Sequence, residues 1–102
     1  MQFMITAYDG TDDKALERRM AIRPQHLANM AKVKETAGVL CAGGILNDEG
    51  NPVGSFLIMD FENREQLDAY LASEPYVSGN VWQDVKTVTC NVVIMNGEKV
   101  GK

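Results

Sequence analysis

Phe56-Leu57-Ile58-Met59 is an unbroken apolar run, and Phe3-Met4-Ile5 near the start of the chain is another. A strand with one face in water alternates polar and apolar side chains, so runs without alternation mark strands covered on both faces, at the centre of a sheet. Turn and breaker residues divide the rest of the chain around these two. Residues 2–8 read as a strand that stops at Asp9-Gly10, and residues 39–46 as a second, interrupted by Gly43-Gly44. Paired glycines inside a strand mark a bulge or a place where something approaches the backbone closely, so this pair reads either as a ligand wall or as a kinked edge. Asn47-Asp48-Glu49-Gly50-Asn51-Pro52 is dense in turn residues and predicts a long hairpin loop into the strand at 55–61. Residues 85–95 alternate as a half-buried strand, and the polar residues beyond 96 read as a frayed tail.

Between the strands lie helical patterns. Thr11-Asp12-Asp13 offers caps for a helix over 14–22, and Asn63 with Gln66 three residues on has the form of a capping box for a helix ending by Ser73. Pro24 lacks an N–H, suits a first helical position and pushes the preceding residue out of the helical region. The chain is therefore expected to bend at Arg23, with a separate helix running from Pro24 until Gly38 offers a left-handed stop. That reading puts His26, the single histidine, in a first helical turn, where the positive end of the dipole favours a neutral ring able to accept a proton. A surface or capping histidine without chemistry is the alternative.

At 102 residues, with 45% hydrophobic and 24% charged side chains, the chain has the size and composition of one globular domain, expected over 1–96 with a tail at 97–102. No apolar run approaches a membrane span and no leader pattern is visible. A net charge of −4 without a basic cluster argues against nucleic acid. Cys41 and Cys90 fall in strand-like segments and read as buried thiols of a reducing cytoplasm. Two cysteines and one histidine cannot fill a zinc shell, and no nucleotide loop is present, so neither a metal nor a cofactor is expected.

The order strand, helix, strand, strand, helix, strand is the βαββαβ arrangement of a ferredoxin-like α+β sandwich, in which the first and third strands are central in an antiparallel sheet. Helices cover one face of such a sheet. The other must be buried by a second copy or a ligand, and a homodimer packed sheet to sheet is the expectation. The topology also sends Cys41 and Cys90 to opposite edges, which excludes a disulfide between them. Trp82, in the last connection, is assigned to the dimer interface, and the six methionines to core filling.

Arg-Pro-x-His-Leu at 23–27, Gly43-Gly44 after a strand, and Pro75-Tyr76-Val77 after the last helix together resemble the YCII-related (YciI-like) family, and the likeness spans nearly the whole chain. The resemblance implies a small cytoplasmic protein of the dimeric α/β-barrel type in which a histidine and an acidic residue form an acid–base pair. The family includes a dehydrochlorinase acting on a chlorinated hydroxyquinol, and the wider superfamily includes muconolactone isomerase. By position His26 matches the family histidine, and Glu74 stands where the family usually has aspartate before Pro-Tyr. The extra methylene changes the geometry of any contact between the two.

Two functions fit these residues. One is a cofactor-independent enzyme of elimination or isomerisation type on a small cyclic or aromatic metabolite, with His26 as base, Glu74 orienting it and Arg23 holding an oxyanion. The other is a non-catalytic dimeric protein that binds or senses a small ligand. Gly43, Gly44, Tyr76 and Tyr8 are the expected pocket walls, while Arg19 reads more simply as a surface ion pair.

Overall fold

The computed structural model describes residues 1–102. Its elements are β1 (Gln2–Asp9), α1 (Ala15–Val33), β2 (Gly38–Leu46), β3 (Pro52–Asp60), α2 (Arg64–Ser73), α3 (Pro75–Ser78), β4 (Trp82–Cys90) and a terminal hairpin of β5 (Ile94–Met95) and β6 (Glu98–Lys99). The four long strands form one antiparallel sheet in the order β2-β3-β1-β4, so the two apolar runs are central and the fold is a ferredoxin-like α+β sandwich. Strand parity sorts the side chains. Phe3, Ile5 and Ala7 of β1 and Leu57 and Met59 of β3 face the helices and are fully buried with Leu67, Tyr70 and Tyr76. Met4, Phe56 and Val88 stand on the opposite face and are exposed.

The largest departure from expectation is α1. It is a single helix with Pro24 inside it, not two helices with a bend at Arg23. Pro24 removes one backbone donor, but it sits on the exposed side of the helix, where the freed carbonyl a turn earlier can be solvated. Continuity is favoured by what lies on the other side: Arg19 and Ile22 before the proline and His26 and Met30 after it all turn inward. A break at Arg23 would put these two halves out of phase. His26 therefore lies well inside the helix, and the argument from a helix N-terminus does not apply to it. The helix also ends at Val33, before a turn, and Gly38 is not left-handed; positive φ occurs at Gly50 and Gly97 instead.

Other local readings fare differently. The side chain of Asn63 accepts the Gln66 N–H at 3.0 Å, while Gln66 reaches back to the Glu62 N–H at 3.1 Å, a variant of the capping box. Asp12 accepts the Lys14 N–H and pairs with Arg18, whose guanidinium holds the Asp12 carboxyl down to about 2. The residues expected to fray are paired, because Asn96 and Gly97, both at positive φ, make a tight turn between β5 and β6. Cys41 is exposed on the open face of β2 rather than buried, and Cys90 is partly covered on β4, with two strands between them. Of the methionines Met59 is buried in the core and Met30 packs against it, while Met4 lies exposed on the open face and Met20 is half exposed on α1. Trp82 is 3% exposed within the single chain, because β4 begins beneath α3 and turns the indole inward.

Gly79 ends α3 against α1. A Cβ there would collide with the Ile22 side chain and lie 2.7 Å from the Pro75 carbonyl, so the close approach of these two helices needs a glycine. If tertiary packing and not local preference holds α1 together, Pro24→Ala should restore the missing hydrogen bond without loss elsewhere. The urea midpoint is expected to rise, corresponding to about 1–3 kcal/mol. A lower midpoint would mean that the proline itself shapes the helix.

Candidate active site

Glu74 links α2 to α3, in extended backbone conformation between the last turn of one and the first of the other. Pro75 starts α3, and the Glu74 side chain folds back as its N-cap, accepting the Tyr76 N–H on Oε1 at 3.0 Å. The carboxylate is 0% exposed. A buried charge is tolerated only when its lone pairs are met, and two further groups meet them. Tyr70 donates its hydroxyl to Oε2 at 2.7 Å, one turn earlier on α2, and His26 Nδ1 lies 2.7 Å from Oε1, brought in by α1. The longer side chain of glutamate thus spans the gap that the sequence left open. Burial pushes the Tyr70 phenol far above its ordinary value, with the Glu74 charge adding to it, so this hydroxyl stays a donor.

The imidazole is held on its face as well as its edge. Tyr76 stacks on it with centroids 4.1 Å apart and planes 12° from parallel, and Trp82 meets it edge-on at 5.9 Å. Arg19 lies over the Tyr76 ring at 5.0 Å. It is not the surface ion pair that the sequence suggested: its Nη1 reaches both carboxylate oxygens of buried Asp9, at 2.9 and 3.0 Å, and its Nη2 reaches Ser55 Oγ at 2.8 Å. Ser55 also accepts the indole N–H of Trp82 at 3.1 Å. Burial pushes the Asp9 carboxyl up despite the guanidinium beside it, and burial likewise pushes the Tyr76 phenol up, so that it keeps its proton at neutral pH.

These groups border a cavity of about 310 Å³ between α1 and the β2–β3 edge. His26, Arg23, Tyr76, Gly43 and Gly44 all line it. None of the chain's ion pairs uses Arg23. Tyr8 does not belong to this group. It is 45% exposed and borders a different hollow near the β1–α1 loop, because it shares the parity of Met4 and Thr6 and points away from the helices. A Cβ on Gly43 would run into the Phe56 ring on the open face, whereas one on Gly44 would meet nothing closer than 3.8 Å, so Gly44 leaves space at the cavity wall. No three His, Cys, Asp or Glu side chains gather closely enough to hold a metal ion.

Sequence reasoning missed Asp9, Ser55 and Tyr70, and misplaced Arg19 and Trp82. One signal was available for the first. Phe3, Ile5 and Ala7 alternate inward, so Asp9 is next in phase and, as a buried acid, needs a cation.

The geometry can be set beside known proteins. The YCII-related domain matches residues 1–91. Protein YciI of Escherichia coli is 34% identical over 91 residues, covering 83% of this chain and 91% of that protein. An uncharacterized protein of Haemophilus influenzae is 35% identical over the same length and shares. Among solved structures, a 5-chloro-2-hydroxyhydroquinone dehydrochlorinase of Burkholderia phenoliruptrix, in complex with 2,5-dihydroxybenzoquinone, superposes with a TM-score of 0.76 at 22% identity, covering 88% of this chain and 93% of that one. The fold is therefore shared with that protein, and the chain belongs to the YCII-related family.

Proposed function

We propose that this protein is a cofactor-independent acid–base enzyme acting on a small cyclic or aromatic metabolite, with His26 as general base. The observation that carries the reading is the 2.7 Å contact between His26 Nδ1 and the buried Glu74 carboxylate. A carboxylate only accepts, so Nδ1 carries the hydrogen of this bond, and the neutral ring offers its lone pair at Nε2. Nε2 has no partner in the chain, and the ring borders the cavity. A proton taken from substrate by Nε2 leaves an electron pair that either expels a leaving group, as in dehydrochlorination, or is reprotonated elsewhere, as in isomerisation. The imidazolium formed is then stabilised by Glu74. Arg23, free of ion pairs, faces the oxygen on which negative charge develops. The dehydrochlorinase with the same fold acts on a small oxygenated ring compound, which supports this substrate class.

The same reading has the protein work as a homodimer. Met4, Phe56 and Val88 form an exposed apolar surface on the sheet face that no helix covers, and the self-complementary occupant of such a face is a second copy. Sedimentation at twice the chain mass is expected, with a shift to monomer in Phe56→Asp; a monomeric wild type contradicts it.

A panel of small chlorinated hydroquinones and enol lactones, ranked by thermal shift and then assayed for turnover, tests the catalytic claim. His26→Ala is expected to lower kcat by at least about 10³-fold with binding largely kept, and Glu74→Gln by about 10- to 100-fold. Binding without turnover in the wild type, and an affinity change alone in His26→Ala, would instead identify a non-catalytic ligand-binding protein.

A further inference from the structure

Ser55 has a constraint that serines seldom meet. It is 4% exposed, lines the cavity, and receives two N–H donors on one oxygen, Arg19 Nη2 at 2.8 Å and Trp82 Nε1 at 3.1 Å. A hydroxyl has two lone pairs and one proton, and guanidinium and indole nitrogens of this kind only donate. Both lone pairs are therefore spent. What is left is the proton, and no acceptor in the chain takes it. The Asp9 carboxylate, held by Arg19 Nη1, makes no hydrogen bond with Ser55. A serine ordinarily rotates to donate or accept as its neighbour requires; this one can only donate. Its cross-strand partner is Gly44, which leaves the approach across the sheet open.

We propose that Ser55 is an obligate hydrogen-bond donor in the cavity wall, selecting ligands that present an acceptor oxygen there, such as a carbonyl, enolate or phenolate. A ligand that brings an N–H to this point meets no lone pair and leaves its own donor unsatisfied. The selection rests on the cavity being the substrate site, and it narrows the substrate class to compounds whose reacting ring carries an oxygen in its deprotonated or carbonyl form. Arg23 supplies charge to the same site, while Ser55 supplies the sign of the hydrogen bond.

Two probes of nearly equal shape separate these terms. Pentafluorophenolate offers an acceptor oxygen and no donor at neutral pH, whereas pentafluoroaniline offers N–H donors on a very weakly basic nitrogen. Binding of each is followed by fluorine NMR. The wild type is expected to prefer the phenolate by at least about tenfold, and Ser55→Ala to weaken the phenolate by about 10- to 100-fold with the aniline changed by less than about twofold. Ser55→Thr, which keeps the hydroxyl, is expected to keep the preference. Trp82→Phe frees one lone pair on Ser55, so the preference should shrink through tighter binding of the aniline. That variant carries the test if Ser55→Ala does not fold.

Equal affinity of the wild type for both probes overturns the proposal. So do parallel losses of both probes in Ser55→Ala, or a preference unchanged in Trp82→Phe. The catalytic reading fails separately: an oxygen preference that depends on Ser55 in a protein showing no turnover would leave Ser55 as assigned and remove only the role of His26 as base.

Discussion

A carboxylate with no access to water has to be surrounded by donors, and Glu74 obtains its three from three different helices. The Tyr76 N–H comes from α3, the Tyr70 hydroxyl from α2 and the imidazole from α1. This single group therefore fixes how the helices sit relative to one another at the mouth of the cavity. Removing one of these donors leaves a buried carboxylate with a lone pair unmet, which costs about 1–3 kcal/mol and more for a charged group. The same bonds hold the ring edge-on to the acid and face-on to Tyr76, leaving one nitrogen to the cavity. Stability and the proposed chemistry thus draw on one set of contacts.

A second buried pair lies next to the first. Asp9 and Arg19 neutralise each other beneath Tyr76, and Arg19 continues to Ser55 and Trp82. Polar networks of this kind are costly if any member is left unpaired and rigid when all are satisfied. Here every buried polar side-chain atom has a partner, and the Ser55 hydroxyl hydrogen alone is left for a ligand. The consequence is a cavity wall whose donors and acceptors cannot rearrange to suit a ligand, which is the condition for selecting by hydrogen-bond direction. Both networks need α1 unbroken, since Arg19 and His26 lie seven residues apart, about two turns, on one side of it.

Much of the fold was legible because it rests on local rules. The unbroken apolar runs placed β1 and β3 at the centre of the sheet, and Asn63 and Gln66 marked the start of α2. The failures have one cause in common. Pro24 has a strong local preference for a helix start, and only the distant partners of Arg19 and His26 outweigh it. Tyr8 was grouped with the site by residue type, and strand parity, set by pairing with β3, sends it to the other face. Trp82 and Ser55 meet across 27 positions of sequence, a contact that no spacing rule announces. In the same way, the reach of Glu74 to His26 depended on how deep α3 sits against α1, which Gly79 decides through a missing side chain.

The central claim is the proton arrangement on one ring, and it can be read directly. Long-range nitrogen–proton correlation spectra of the neutral His26 imidazole are expected to show a single tautomer with hydrogen on Nδ1 and an unprotonated Nε2. In Glu74→Gln this bias should weaken toward the Nε2–H form that predominates in free histidine. A wild-type ring already protonated at Nε2, or spectra identical in the two proteins, would contradict the account.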